Sequence, residues 1–122
     1  PAGVAYVYLI YGMYHCLNFV TEREGFPAAV LVRGLVPVEG FDAVLRDLTP
    51  AKKKMFLSGP GRLCRALGIT RELNGHDMTR SRELFVLPRD RNPGSIIQTP
   101  RIGVDYAGED ALLPWRFVAS SF

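Results

Sequence analysis

The 122 residues contain only two cysteines, two histidines and one tryptophan, and each scarcity removes a class of protein. Cys16 and Cys64 stand far apart, with no CxxC pair and no histidine at ligand spacing. Neither a disulfide framework nor a zinc site is therefore expected. Both thiols should be reduced and buried, with no metal and no cofactor. The first twenty residues lack Asp, Glu, Lys and Arg altogether, a stretch long enough to span a bilayer. It also lacks a basic start, carries Tyr6, Tyr8, Tyr11, Tyr14, His15 and Asn18, and is interrupted by Gly12, so neither a membrane span nor a secretory signal is expected. No internal repeat, linker or βαβ alternation occurs. The composition, 48% apolar and 22% charged, is that of a folded chain with one core, read as a single domain over 1–122.

What charge there is leans basic. Lys and Arg outnumber Asp and Glu by fifteen to twelve, and the excess is central: Lys52, Lys53, Lys54, Arg62 and Arg65 share a stretch without an acid. Such a run suits a phosphate backbone, and equally a solvated surface.

Val4 to Ile10 and Tyr14 to Val20 are rich in β-branched and aromatic residues and flank Tyr11-Gly12-Met13, which predicts a β-hairpin. A third strand is expected over Ala28 to Leu35, with Arg33 its one charge. Phe41, Val44, Leu45 and Leu48 have helical spacing, and a second helix opens from Ser58-Gly59-Pro60-Gly61 and closes at Gly68. Glu83 to Pro88 and Ile102 to Tyr106 read as short strands, and Arg89 to Pro100 as a polar loop. Asn74-Gly75-His76-Asp77 reads as a turn. The expected fold class is α+β: a mostly antiparallel, curved sheet with a protruding β-hairpin and a few packed helices.

Tyr6 and Tyr8 share one face of the first strand, while Tyr11, Met13 and Tyr14 crowd the hairpin tip, where bulk fills no core unless the tip meets a partner. That pattern suits a wedge pushed between bases, because a tyrosine ring replaces stacking worth about 1–3 kcal/mol per base. It also suits ordinary cross-strand pairing, and the residues alone leave both readings open.

The blocks Tyr6-Val-Tyr-Leu-Ile-Tyr-Gly-Met-Tyr-His-Cys-Leu-Asn18, Ala29-Val-Leu-Val-Arg33, Leu57-Ser-Gly-Pro-Gly-Arg-Leu-Cys-Arg-Ala-Leu-Gly68, Pro100-Arg-Ile-Gly-Val104 and Pro114-Trp-Arg-Phe117 occur in that order. Together with Asn74-Gly75 they resemble the alkyladenine (3-methyladenine) DNA glycosylase family. The resemblance implies a base-excision enzyme that flips alkylated or deaminated purines out of duplex DNA and hydrolyses the N-glycosidic bond with water. It implies that Tyr11 fills the gap left by the flipped nucleotide, that Met13 and Tyr14 press on neighbouring base pairs, and that Tyr8, Cys16, Asn18 and Leu31 line the base pocket. Asn18 would crowd the exocyclic amino group of a normal guanine. Arg33 and the main-chain carbonyl of Ile102 would hold the water, and Lys52, Lys53, Lys54 and Arg62 would face phosphates. The partner would be damaged double-stranded DNA, bound by a monomer inside the cell where the DNA lies, without metal or membrane.

The sequence departs from that family at one point. The family's catalytic glutamate lies in an upstream Glu-Thr-Glu-Ala-Tyr-like segment, and nothing in these 122 residues matches it. The chain is therefore expected to be the C-terminal part of a glycosylase, short of its general base, and inactive alone. Lack of that segment is expected to leave apolar surface uncovered. The rival reading is a non-enzymatic nucleic-acid-binding module that stacks single-stranded bases on the hairpin aromatics. A third is an accessory domain sharing the fold without the activity.

Overall fold

A computed structural model describes residues 2–10, 12–23, 25, 28–89, 94–102, 108–109 and 112–119. The chain forms two compact units, 1–87 and 88–122.

The first unit is built on an antiparallel sheet of β1 (Ala5–Ile10), β2 (Tyr14–Thr21) and β3 (Ala28–Leu31), in that spatial order. β1 and β2 are the expected hairpin. Ile10 faces Tyr14 at its end, Met13 N–H donates to the Ile10 carbonyl at 3.1 Å, and Gly12 takes φ 67°, a conformation open to glycine without Cβ strain. Residues facing each other across a ladder share a face, so register sorts the side chains. Tyr6 faces Asn18, Tyr8 faces Cys16 and Asn18 faces Leu31 on one side; Ala5 faces Phe19 and Val7 faces Leu17 on the other.

The second of these sides carries the core. Ala5, Val7, Leu17, Leu57, Leu63, Cys64, Ile69 and Met78 form one buried cluster, with Phe19, Val32, Phe41 and Phe56 packed against it. The cover is α3 (Pro60–Leu67), which lies on β2 and buries Leu63 and Cys64 completely. α3 starts where sequence chemistry places it, with Pro60 at its first position, and stops at Gly68 in the left-handed region, φ 69°. Gly68 N–H donates to the Arg65 carbonyl and Ile69 N–H to the Cys64 carbonyl at 2.8 Å, so the closing turn folds Ile69 back into the core. α1 (Asp42–Arg46) is the short amphipathic helix expected after Gly40.

The free edge of β1 is closed by a turn. Gly75 N–H donates to the Ala5 carbonyl, Ala5 N–H to the His76 carbonyl, and Val7 N–H to Asn74 Oδ1 at 2.9 Å. Asn74 thus does more than turn the chain, because its side chain replaces a missing strand partner.

The lysine run is helix α2 (Pro50–Met55), capped by Thr49, whose hydroxyl accepts from Lys52 N–H. Three expectations are corrected. The third strand stops at Leu31 rather than Leu35, because Leu57–Gly59 takes over its pairing: Gly59 N–H donates to the Arg33 carbonyl and Leu35 N–H to the Leu57 carbonyl. Glu83 to Pro88 is not a strand. Ser81 Oγ captures the Glu83 and Leu84 N–H groups, which leaves a single ladder-like bond, from Val86 N–H to the Met78 carbonyl. In the second unit, part of the expected loop is strand β4 (Ile96–Thr99), paired antiparallel with an unexpected β5 (Arg116–Ala119). Of the strand expected over Ile102 to Tyr106, Ile102 lies in a bend and the rest falls outside the described residues.

The expected α+β class, with antiparallel sheets and a few helices, is observed. Among the described residues no helix is long and apolar enough to cross a membrane. Large apolar side chains are exposed in both units, among them Val30, Val36 and Val38 in the first and Leu112, Trp115 and Phe117 in the second.

Leu63 is the test of this core. Leu63→Ala should cost about 2–5 kcal/mol in urea unfolding, whereas Leu67→Ala on the outer side of α3 should cost less than about 1 kcal/mol. Equal costs would mean that α3 does not pack as described.

Candidate base-binding face

The sheet face away from the core collects most of the residues singled out for a base pocket. Tyr8 and Cys16 are direct cross-strand neighbours, and Asn18 sits between Tyr6 and Leu31 on the same face. The Tyr6 and Tyr8 rings lie 5.1 Å apart, tilted by 36°. Asn18 is only 7% exposed and donates from Nδ2 to the Tyr6 carbonyl at 3.3 Å, so its carboxamide is fixed across the hairpin. A polar group held so deep is oriented by its bonds rather than by solvent.

Arg33 continues the alternation of β3 past Leu31. Val32 N–H still donates to the Leu17 carbonyl, and the Arg33 carbonyl accepts from Gly59 N–H at 2.6 Å, which ties this backbone to the residue before α3. The Arg33 side chain is half-buried and near enough to Cys16 to favour its thiolate. Among the described residues it makes no ion pair. A guanidinium held partly out of water on an otherwise apolar strand calls for an acidic or hydrated partner.

Burial dominates the ionisation of this wall. It pushes up the Tyr8 phenol, with the Cys16 charge adding to the rise and the Asn18 hydrogen bond working against it. It pushes up the Cys16 thiol, against the hydrogen bond from Tyr8 and the Arg33 charge, and it pushes up the Cys64 thiol on the core side. Both cysteines are free and buried, as their spacing suggested.

The hairpin tip is exposed. Met13 is 68% and Tyr14 39% exposed, while Tyr11 lies outside the described residues. Tyr14 is also pinned: a Cβ on Gly61 would stand 2.9 Å from its Cδ1 and 3.2 Å from its Cβ, so the first turn of α3 lies flat on the side chain. The basic candidates sit on helices. Lys52 and Lys53 are exposed on α2, and Arg62, exposed on α3, donates from Nη1 to the Ser58 carbonyl at 3.4 Å. The side chain of Lys54 lies outside the described residues. Ile102 belongs to the second unit, with an exposed side chain, and Arg101 places its guanidinium 5.1 Å from the Trp115 ring centre. Among the described residues no group of His, Cys, Asp and Glu is gathered to hold a metal. Sequence reading missed Gly61 as the seat of Tyr14. The signal was a glycine inside a helix, at the second position after Pro60.

The first unit thus joins an exposed tip of Met13 and Tyr14 to a sheet face that carries a phenol, a thiol, an amide and, beyond it, a guanidinium. Comparison with known proteins narrows the class. The family model for methylpurine-DNA glycosylase matches residues 1–121, and the chain belongs to that family. It is 56% identical over 119 residues to a protein of Methanocella arvoryzae named "Putative 3-methyladenine DNA glycosylase", covering 94% of this chain and 58% of the relative. Proteins of the same name from Alkaliphilus oremlandii and Bacillus cereus are 43% and 45% identical over 125 residues, covering 96% and 94% of this chain and 61% of each relative. The chain thus spans about three-fifths of the length of these relatives.

Two outcomes test the site. The fold favours the neutral forms of Tyr8, Cys16 and Cys64, so their contribution to stability is complete below the ordinary thiol value of 9.0 and is lost as pH climbs through the raised values. The urea midpoint should therefore fall between about pH 7.5 and about pH 10, and a constant midpoint would contradict the burial. Gly61→Ala should destabilise by about 1–3 kcal/mol through collision with Tyr14, and should cost less in a Tyr14→Ala background, where only the Cβ contact at 3.2 Å remains.

Proposed function

We propose that this chain is the hairpin-bearing part of a DNA base-excision glycosylase acting on alkylated or deaminated purines. The observation that carries the reading is Arg33: a half-buried guanidinium, without an ion pair among the described residues, on the same face as Tyr8, Cys16 and Asn18. Hydrolysis of an N-glycosidic bond breaks the bond from sugar carbon to base nitrogen, adds the water oxygen to the sugar carbon and transfers a proton toward the departing base. It needs a water held close and a group to take its proton. Arg33 would hold that water from one side, and the Ile102 main-chain carbonyl would accept from it.

The remaining roles follow from chemistry at each position. Tyr11 would fill the gap left in the duplex, with Met13 and Tyr14 pressing on the adjoining pairs. The Tyr8 ring would form one wall of the pocket, with Cys16 and Leu31 beside it. Asn18, unable to swing away because it is bonded to the Tyr6 carbonyl, would collide with the exocyclic amino group of a normal guanine and so reject it without having to recognise the lesion. Lys52, Lys53, Lys54 and Arg62 would face phosphates. The enzyme would work as a monomer on the DNA inside the cell and would need no metal.

None of the 122 residues matches the Glu-Thr-Glu-Ala-Tyr-like segment that bears the family's general base. Glu109, an acid that follows Ile102 in sequence, is exposed, which suits solvation better than proton transfer. This chain alone should therefore release no base while still gripping the gap.

The test is a binding titration at one stated salt concentration, against a duplex with a central abasic-site analogue and the same duplex intact. A preference of about tenfold or more for the abasic duplex, about 1.4 kcal/mol, is expected, and Tyr11→Ala should abolish it. Equal binding by a folded chain would overturn the reading, and preference for single strands would favour the stacking module instead.

A further inference from the structure

The two sides of the hairpin differ in what covers them. On the core side, Leu17 of β2 is roofed by Leu63 and Cys64 of α3. Nearer the tip a groove of about 260 Å³ opens between the hairpin end and α3. Met13, Tyr14 and His15 form one bank, and Arg65, Ile69 and Thr70 form the other.

Three properties restrict the occupant. The groove falls short of the range of about 300–1,000 Å³ for a drug-sized ligand, which sets its scale at a small ring with a substituent. Its floor is apolar, with Ile69 and Cys64 buried, while Arg65 and Thr70 stand exposed on the rim. Among the described residues no aspartate or glutamate lines it, and Arg65 lies in the acid-free stretch over 48–71. An apolar floor with a cationic, hydroxyl-bearing rim fits a pentose carrying a phosphate. The groove also begins at Met13 and Tyr14, the side chains at the tip, so anything the tip enters passes over it.

We propose that this groove seats one deoxyribose-phosphate of duplex DNA, with Arg65 as its phosphate anchor, at the end of the hairpin where it meets α3. The proposal rests on the DNA reading above and adds a contact to it. One strand pair would then divide two tasks: its outer face takes the base, and its end, where it meets α3, takes the backbone. A phosphate fixed beside the tip sets where the wedge enters, because phosphate contacts position a protein while base contacts discriminate. Gly61 contributes indirectly as a positioning residue, since it lets Tyr14 lie against α3 and so shapes one bank.

The experiment is a salt series with the 122-residue chain and both duplexes. Arg65→Ala should weaken intact and abasic duplexes alike, by several-fold at moderate salt, and flatten the slope of log affinity against log salt by about 0.9, the signature of one lost phosphate. Arg65→Lys should keep the slope. Replacing single phosphates by neutral methylphosphonates should reveal one position near the lesion that weakens the wild-type chain and leaves Arg65→Ala unaffected. Millimolar inorganic phosphate should not displace the duplex; displacement would mean a free-anion site and would overturn the proposal. So would an unchanged slope in Arg65→Ala, or an equal penalty for both proteins at every neutralised phosphate. Loss of abasic preference with the Arg65 slope effect intact would sink the wedge reading alone, and the reverse pattern would sink this one alone.

Discussion

Everything placed on the hairpin depends on the contact of α3 with β2. Leu63 and Cys64 bury themselves against Leu17 and Val7, and Gly68 turns the chain so that Ile69 joins them. That contact commits one sheet face to the core. It brings Gly61 onto Tyr14 at the tip and sets Arg65 and His15 around one groove. The backbone bonds joining Arg33 and Leu35 to Leu57 and Gly59 fasten β3 to the start of the same helix. A single packed helix therefore sets the position of the hairpin tip and of the chain that carries Arg33.

The period of two along a strand performs the separation. In β2, Cys16 and Asn18 point to one face and Leu17 to the other, so three consecutive buried residues alternate between the outer face and the core. This explains why a run that reads as uniformly apolar contains an asparagine. Asn18 is tolerated because it is bonded to the Tyr6 carbonyl, and a bonded amide held rigid can exclude a substrate group by collision. It also places Arg33, two residues past the end of β3, toward the same face as Leu31.

Much of this was legible in the residues. The hairpin followed from two β-rich runs around Tyr11-Gly12-Met13, α3 from proline at its start and glycine after its end, and the buried free thiols from their spacing. Family membership followed from the long block Tyr6 to Asn18. What was not legible has physical causes. Helix α2 carries a lysine run that hid its period, although Thr49-Pro50 is a cap that announced it. The expected strand at Glu83 to Pro88 fails because a serine hydroxyl takes two of its amides, a competition invisible to hydrophobic pattern. The groove at Arg65 needed the helix and the hairpin in one frame, since its two banks are about fifty residues apart in sequence.

The account's central claim is that the outer hairpin face receives the base, and photo-crosslinking tests it most directly. A duplex carrying an azidopurine at the position of the damaged base would be irradiated in complex with the chain, and the modified peptides would be mapped by mass spectrometry. Adducts on Tyr8, Cys16 or Asn18, or on the strand from Ala28 to Arg33, are the expected result. Adducts confined to α2 or to residues 88–122, on a folded chain, would contradict it.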